Sequence, residues 1–399
     1  MTLERYARHS LIDWFDQEAV RRERLIVVGA GAVGNEVIKN LTLLGVGEIH
    51  VFDRDAIEIH NLTRSVLFRE GDIGQPKAIC AATRARELDP SVHITPYVGD
   101  FWATLSLAAV RTATAVFSCV DNFEARIRLN RLCALAGTPL INVGIDSRFA
   151  VVEQFSFNRA SRRPCYECGL PPAAYATVAK RYSCGGLKRV AAAERRIPTT
   201  IITSSAAASL AVSVHLRSLA DGLDTSSWRY FQDTFTGHAT RTEIRANHEC
   251  PGCSDLLDER VVVAACRRIG ATWRGIGADC GIGPIVLSDP ALTEVRCRQC
   301  GVDDTGTMLL HRADRYDETL AVCPHCNERA REIRVRERFS CEELLRDYAG
   351  YDLPGKFIVT RLDEAIQLVV ELEGDEHGRG EGHSEDSRSH AESGSDGPA

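Results

Sequence analysis

Short apolar runs alternate with amphipathic stretches through the first part of the chain. Residues 25 to 28 are apolar throughout and stop at a glycine, the pattern of a parallel strand buried on both faces. In residues 32 to 44, Val33, Val37, Leu41 and Leu44 recur at helical spacing. Residues 48 to 52 read as a second strand, 77 to 88 as a second helix, and 115 to 119 and 140 to 143 as further buried runs. This alternation predicts a doubly wound, Rossmann-like α/β fold with a mostly parallel sheet. Residues 158 to 198 carry several Cys, Pro and Gly plus a basic stretch and read as a loop or lid. Residues 200 to 219 are rich in Ala and Ser and read as a packed helix.

Past residue 255 the alternation fades. The breaks divide the chain into a first domain at 1–255, a connecting segment at 256–290, a cysteine-rich segment at 291–330 that reads as a zinc ribbon, a small α+β unit at 331–373 and a tail at 374–399. The tail holds seven acidic residues against Arg379 and Arg388 and accounts for most of the net charge of −7. It is too polar to offset its own ordering entropy and is expected to be disordered. The acidic balance argues against a chain built to grip nucleic acid. No apolar run approaches the ~20 residues of a membrane helix. The charged N-terminus, MTLERYARHS, has no apolar signal core, and the expected location is the cytoplasm.

Gly29, Gly31 and Gly34 form G-x-G-x-x-G directly after the first strand and at the start of a helix. Small residues there let the backbone approach a phosphate, and the helix N-terminus favours its charge. Asp53 ends the next strand, where it can accept from a ribose. NAD, FAD and ATP all fit these residues. Asn61, Arg64 and Lys77 follow closely, and cations beside a nucleotide suit cleavage of a triphosphate better than hydride transfer. Asp121 and Asn122 follow the run AVFSC, and a carboxylate at that strand end can hold Mg²⁺.

The motifs RYARH, GAGAVG, FDRD, HNLTR, GQPKA and CVDN stand in the order and spacing of the ThiF/MoeB/HesA superfamily, which residues 1 to 255 resemble. These are the ubiquitin-activating-enzyme-like adenylyltransferases, which activate ubiquitin-like and sulfur-carrier proteins. The resemblance implies that Gly29, Gly31 and Gly34 line an ATP site, that Asp53 binds the ribose, and that Asn61, Arg64 and Lys77 contact phosphates. Asp121 would hold Mg²⁺, with Asp55 and Asn122 as further nucleotide-site residues. Arg8, from RYARH, would reach the phosphates bound by the neighbouring subunit of a homodimer. There is no P-loop, so ATP binding would be of this family's type.

Fifteen cysteines without a signal point to a reducing compartment, where they serve metals or chemistry. Four CxxC pairs are present: Cys165/Cys168, Cys250/Cys253, Cys297/Cys300 and Cys323/Cys326. The resemblance implies a structural zinc between the first two pairs. The last two have 22 residues between them and read as zinc knuckles closing a second structural Zn²⁺ site. Cys80, Cys119 and Cys133 lie in apolar surroundings and read as core. Cys184 lies among Lys180, Arg181, Lys188 and Arg189, cations that favour a thiolate nucleophile. Its place before Pro198, Thr199 and Thr200 resembles that of a conjugating cysteine, though the 13 residues on to Ile197 lengthen the motif.

The expected activity is ATP-dependent adenylation of the C-terminal carboxylate of a small ubiquitin-like or sulfur-carrier protein. The acyl group then passes to Cys184 as a thioester, with a conjugating partner to follow, or to a sulfur donor. Adenylation of a tRNA-bound or peptide carboxylate, and a non-catalytic ATP-binding scaffold, are the alternatives. Residues after 290 read as a docking module for a carrier or acceptor.

Overall fold

The computed structural model describes residues 2–157, 164–175, 198–222, 226–250, 252–253, 260–267, 284–305, 313, 322–328, 330–340, 342–343, 356–361 and 366–373. Its larger sheet has eight strands: β1 (Arg24–Val28), β2 (Glu48–Asp53), β3 (His93–Val98), β4 (Ala115–Ser118), β5 (Leu140–Ile145), β6 (Phe149–Phe155), β7 (Ser227–Asp233) and β8 (Ala239–Ile244). They lie in the order β3-β2-β1-β4-β5-β6-β7-β8. Pairing is parallel from β3 through to β5 and antiparallel from β5 to β8. The strand order reverses between β1 and β4, which opens a crevice at their carboxyl ends. The Rossmann-like expectation is met.

Alternation along β1 explains the layers. Leu25 and Val27 face one core with the helices Ala32–Leu43, Lys77–Leu88 and Ile201–Asp221. Ile26 and Val28 face the other, with Trp102, Val110, Leu129 and Leu132 from the helices on that side. A strand covered on both faces needs apolar residues throughout, hence the unbroken run. Helix Phe123–Ala136 begins at Asn122, whose side chain accepts from the Ala125 amide, and ends at Gly137 in the left-handed region.

A second sheet has five strands: β9 (Arg260–Arg267), β10 (Ile285–Cys297), β11 (Arg331–Phe339), β12 (Phe357–Arg361) and β13 (Ile366–Glu373), in the order β11-β10-β12-β13-β9. Strands from the segments at 256–290, 291–330 and 331–373 thus share one sheet. β9 runs parallel to β13, and the other pairs are antiparallel.

This sheet is seated on the first domain. Phe357, Val359 and Val369 join the apolar cluster of Ile26 and Val28. Buried polar groups pin the seam. The Trp102 indole donates to Asp289 at 2.7 Å, and Lys356 donates to the Leu105 carbonyl at 2.6 Å. The Glu371 carboxylate accepts from the amides of Leu107 and Ala108 at 2.7 and 3.3 Å, at the start of helix Leu107–Thr112. A carboxylate there satisfies amides that have no partner within the helix.

Glu371→Ala leaves those amides without their acceptor. The expected cost is about 1–3 kcal/mol, read as a lower urea midpoint. An unchanged midpoint would show that the seam does not depend on this contact.

Candidate active site

The glycine motif turns tightly out of β1. Gly29 has φ of +96°, a conformation suited to glycine, and its amide donates to the Phe52 carbonyl at 2.8 Å. A β-carbon on Gly34 would stand 1.7 Å from the Gly29 carbonyl oxygen. Gly31 differs: a β-carbon there would meet nothing within 4 Å. It is the residue at the N-terminus of helix Ala32–Leu43, and the open space beside it is room for a phosphate.

Asp53 closes the loop from β2. One carboxylate oxygen accepts from the Ala30 amide at 2.6 Å and the other from the Asp55 amide at 2.8 Å. Burial pushes its carboxyl above the ordinary carboxylate range, against the opposing pull of Lys77 and these amides. Asp55 itself accepts from the Lys77 ammonium at 3.0 Å. Lys77 is buried and opens helix Lys77–Leu88, so its charge is held in place beside the loop.

Asn61 is buried, and its side-chain oxygen accepts from the Glu58 amide at 2.9 Å, which fixes a tight helical turn. The Arg64 guanidinium is half-buried and donates to the His60 carbonyl at 2.7 Å. Beyond β4, Asp121 is exposed, and the Asn122 amide donates to it at 3.3 Å. That carboxylate remains open to a cation. Gly29, Gly31, Gly34, Asp53, Asp55, Lys77, Asp121 and Asn122 are therefore grouped along the carboxyl ends of β1, β2 and β4 and the helices that follow.

Arg8 is not part of this group. Its segment is pinned at the opposite ends of the same helices. Tyr6 hydrogen-bonds to Asp89 beyond Leu88, Arg5 donates to the Leu88 carbonyl at 2.8 Å, and Gln17 donates to the Leu44 carbonyl at 2.8 Å. A twelve-residue helix spans ~18 Å, so Arg8 lies far from its own chain's glycine loop. Cys184 lies outside the described residues.

Two polar residues without a motif of their own also hold the site together. Asn35 is fully buried, accepts from the Leu67 amide at 2.6 Å and donates to the Ala30 carbonyl at 3.3 Å. It ties the stretch behind Arg64 to the glycine loop. A polar residue on the buried face of an amphipathic helix was the available signal. Arg126 donates to the carbonyls of Val120 and Val143 at 2.5 and 2.8 Å, joining the ends of β4 and β5. Cys80 and Cys133 are buried as expected, whereas Cys119 is half-buried against the first core, where desolvation pushes its thiol up to about 12.

The sulfurs of Cys165, Cys168, Cys250 and Cys253 lie within 4.8 Å of one another, and so do those of Cys297, Cys300, Cys323 and Cys326. Individual separations are 3.1 to 3.7 Å in the first cluster and 3.7 Å in the second. A tetrahedral ion at Zn–S distances of 2.3 Å sets sulfurs ~3.8 Å apart, so both clusters have the size to hold a metal ion. Cys297 lies at the end of β10, and a turn at 323–326 faces it, which places the second cluster at one end of the C-terminal sheet.

The chain is 29% identical over 271 residues to a sulfur carrier protein adenylyltransferase of Thermus thermophilus, covering 65% of this chain and 94% of that one. It is 36% identical over 174 residues to a SAMP-activating enzyme E1 of Haloferax volcanii, covering 43% of this chain and 63% of that one. The chain thus spans nearly all of the first relative and under two thirds of the second. A crystal structure of E. coli MccB shares the fold, with a TM-score of 0.51 and 24% identity over 63% of this chain and 72% of that one. Residues 3–253, well over half of the sequence, match the ThiF family, and the chain belongs to that family.

Proposed function

We propose that the chain is an adenylyltransferase that activates the C-terminal carboxylate of a small ubiquitin-like or sulfur-carrier protein with ATP. The observation that carries this reading is the placement of Lys77 and Asp121 on either side of an open glycine loop. The amides at Gly31 and the helix N-terminus receive the phosphates, and Asp53 accepts from the ribose. Lys77 exchanges part of its pairing with Asp55 for a phosphate oxygen, and Arg64 offers a second cation. Asn61 joins them at the phosphates, with Asn122 beside Asp121. Asp121 would hold Mg²⁺, which supplies charge neutralisation on the triphosphate.

A carboxylate oxygen of the carrier attacks the α-phosphorus. The bond from that phosphorus to the bridging oxygen breaks, and pyrophosphate leaves with the electron pair. The product is an acyl-adenylate, in which AMP is the good leaving group that a free carboxylate lacks. Lys77 and Arg64 stabilise charge on the departing phosphates, the dominant contribution in such chemistry. The acyl group then passes to Cys184 or to a sulfur donor.

The working unit is a homodimer in the cytoplasm. The remoteness of Arg8 from its own glycine loop and the exposure of Leu11 and Trp14 beside it support a site completed by a second copy. Each cysteine cluster takes one Zn²⁺, a closed four-thiolate site that stabilises structure.

Incubation with Mg·ATP and candidate carriers, followed by denaturing gels, tests the route. A reductant-sensitive adduct absent from Cys184→Ala is expected. Pyrophosphate release without an adduct would remove Cys184 from the mechanism, and no release with any carrier would remove the adenylation itself. Arg8→Ala and Lys77→Ala should each be inactive alone. Mixed and re-equilibrated, they should regain about a quarter of wild-type sites, because half the dimers then hold one intact site. No recovery would exclude Arg8 acting across the interface. Elemental analysis should find two zinc ions per chain, and chelation should expose eight thiols and lower the melting temperature. A metal-free chain with an unchanged melting temperature would refute the structural zinc.

A further inference from the structure

Helix Phe123–Ala136 joins three parts of the molecule. Its first residue follows Asn122, which caps it, and Asp121 stands one residue before that. Near its middle, Asn130 accepts from the Tyr166 amide at 2.9 Å and donates to Glu167 at 3.3 Å. Tyr166 and Glu167 are the two residues between Cys165 and Cys168. The next residue, Arg131, reaches in two directions. Its Nε donates to Glu167 at 3.2 Å, and a terminal nitrogen donates to Glu337 of β11 at 2.7 Å.

This cation is well enclosed. The Glu167 side chain has no exposure, and that of Arg131 has 16%. The planar guanidinium can serve two carboxylates in fixed directions, which an ammonium cannot do from one position. One side chain therefore fastens the first cysteine cluster and the C-terminal sheet to the same helix. The helix is regular backbone, and Arg131 holds it ~12 Å from its start, so these contacts fix the angle at which it meets β4. Arg126 completes the chain of contacts by holding the Val120 carbonyl next to Asp121.

We propose that Arg131 is a positioning residue for the nucleotide site. It braces the helix against the C-terminal sheet and the first cysteine cluster, and so holds Asp121 where a Mg²⁺-bound triphosphate needs it. The C-terminal sheet, outside the segment that matches the family, then becomes part of the adenylation machinery. This rests on the adenylation reading above.

The test measures binding of AMPCPP, a non-hydrolysable ATP analogue, to the full chain with and without Mg²⁺, alongside zinc content. Arg131→Met should weaken the Mg²⁺-loaded analogue about tenfold and leave the Mg²⁺-free analogue unchanged. Arg131→Lys, which keeps one ion pair, should fall between it and wild type. Glu337→Gln, which leaves the Glu167 pair intact, should weaken only the Mg²⁺-loaded form. A folded Arg131→Met with full zinc content and wild-type affinity would overturn the proposal. If that variant does not fold, wild-type affinity in Glu337→Gln overturns it instead. Failure of the wild-type chain to bind the analogue would overturn the adenylation reading and this inference together. Wild-type binding with unmoved variants overturns this inference alone.

Discussion

No side chain can stand at residue 34. The helix Ala32–Leu43 begins so close to the end of β1 that any β-carbon there would overlap the Gly29 carbonyl. Gly29 is held as tightly from another direction, since a β-carbon on it would come within 2.6 Å of the Cys119 carbonyl oxygen. These two approaches draw the ends of β1 and β4 and the start of the helix onto one point. The hydrogen bond from Gly29 to Phe52 brings in β2, and the Ala30 amide then faces Asp53. Everything else at the site hangs from that convergence.

Apolar packing alone would not hold such a point in register, because it is non-directional. The directional work falls to a few buried polar groups. Asn35 fastens the stretch at Leu67 to the loop, and Arg126 fastens β4 to β5. Each satisfies backbone groups that would otherwise be buried without partners, and leaving such groups unpaired costs more than a single hydrogen bond contributes. Arg131 follows the same rule at larger scale. Burial works against its charge, but Glu337 and Glu167 outweigh that and raise its pKa further.

How far the sequence could be read follows from the same physics. The central parallel strands β1, β4 and β5 announce themselves because they are covered on both faces and so are apolar for most of their length, whereas β3, at the sheet edge and mostly half-exposed, left no such run. The glycine turn and the grouping of Asp53, Lys77 and Asp121 around it were legible because these residue types stand at fixed spacing after strands. β8 left no such trace: Ala239–Ile244 is exposed along almost its whole length, so no alternation marks it. The C-terminal sheet was hidden for another reason. β9 pairs with β13 across about a hundred residues, and no local pattern encodes a partner that distant. Asn35, Arg126 and Arg131 were missed because their role is to reach groups elsewhere in the fold, which one sequence does not reveal.

The seam between the two sheets shows what such groups are for. Phe357, Val359 and Val369 would bury the same apolar area after a small slide across Ile26 and Val28. Asp289, Lys356 and Glu371 forbid the slide, because each meets the first domain at a fixed place: the Trp102 indole, the Leu105 carbonyl and the first amides of Leu107–Thr112. Burying a charge is unfavourable unless it is met in this way. A flexible tether would have no use for three such groups. Together with the Arg131–Glu337 pair, they hold the C-terminal sheet in a single orientation against helices Leu107–Thr112 and Phe123–Ala136. The second of these helices starts two residues after Asp121, so the fixed seam and the open carboxylate belong to one rigid assembly.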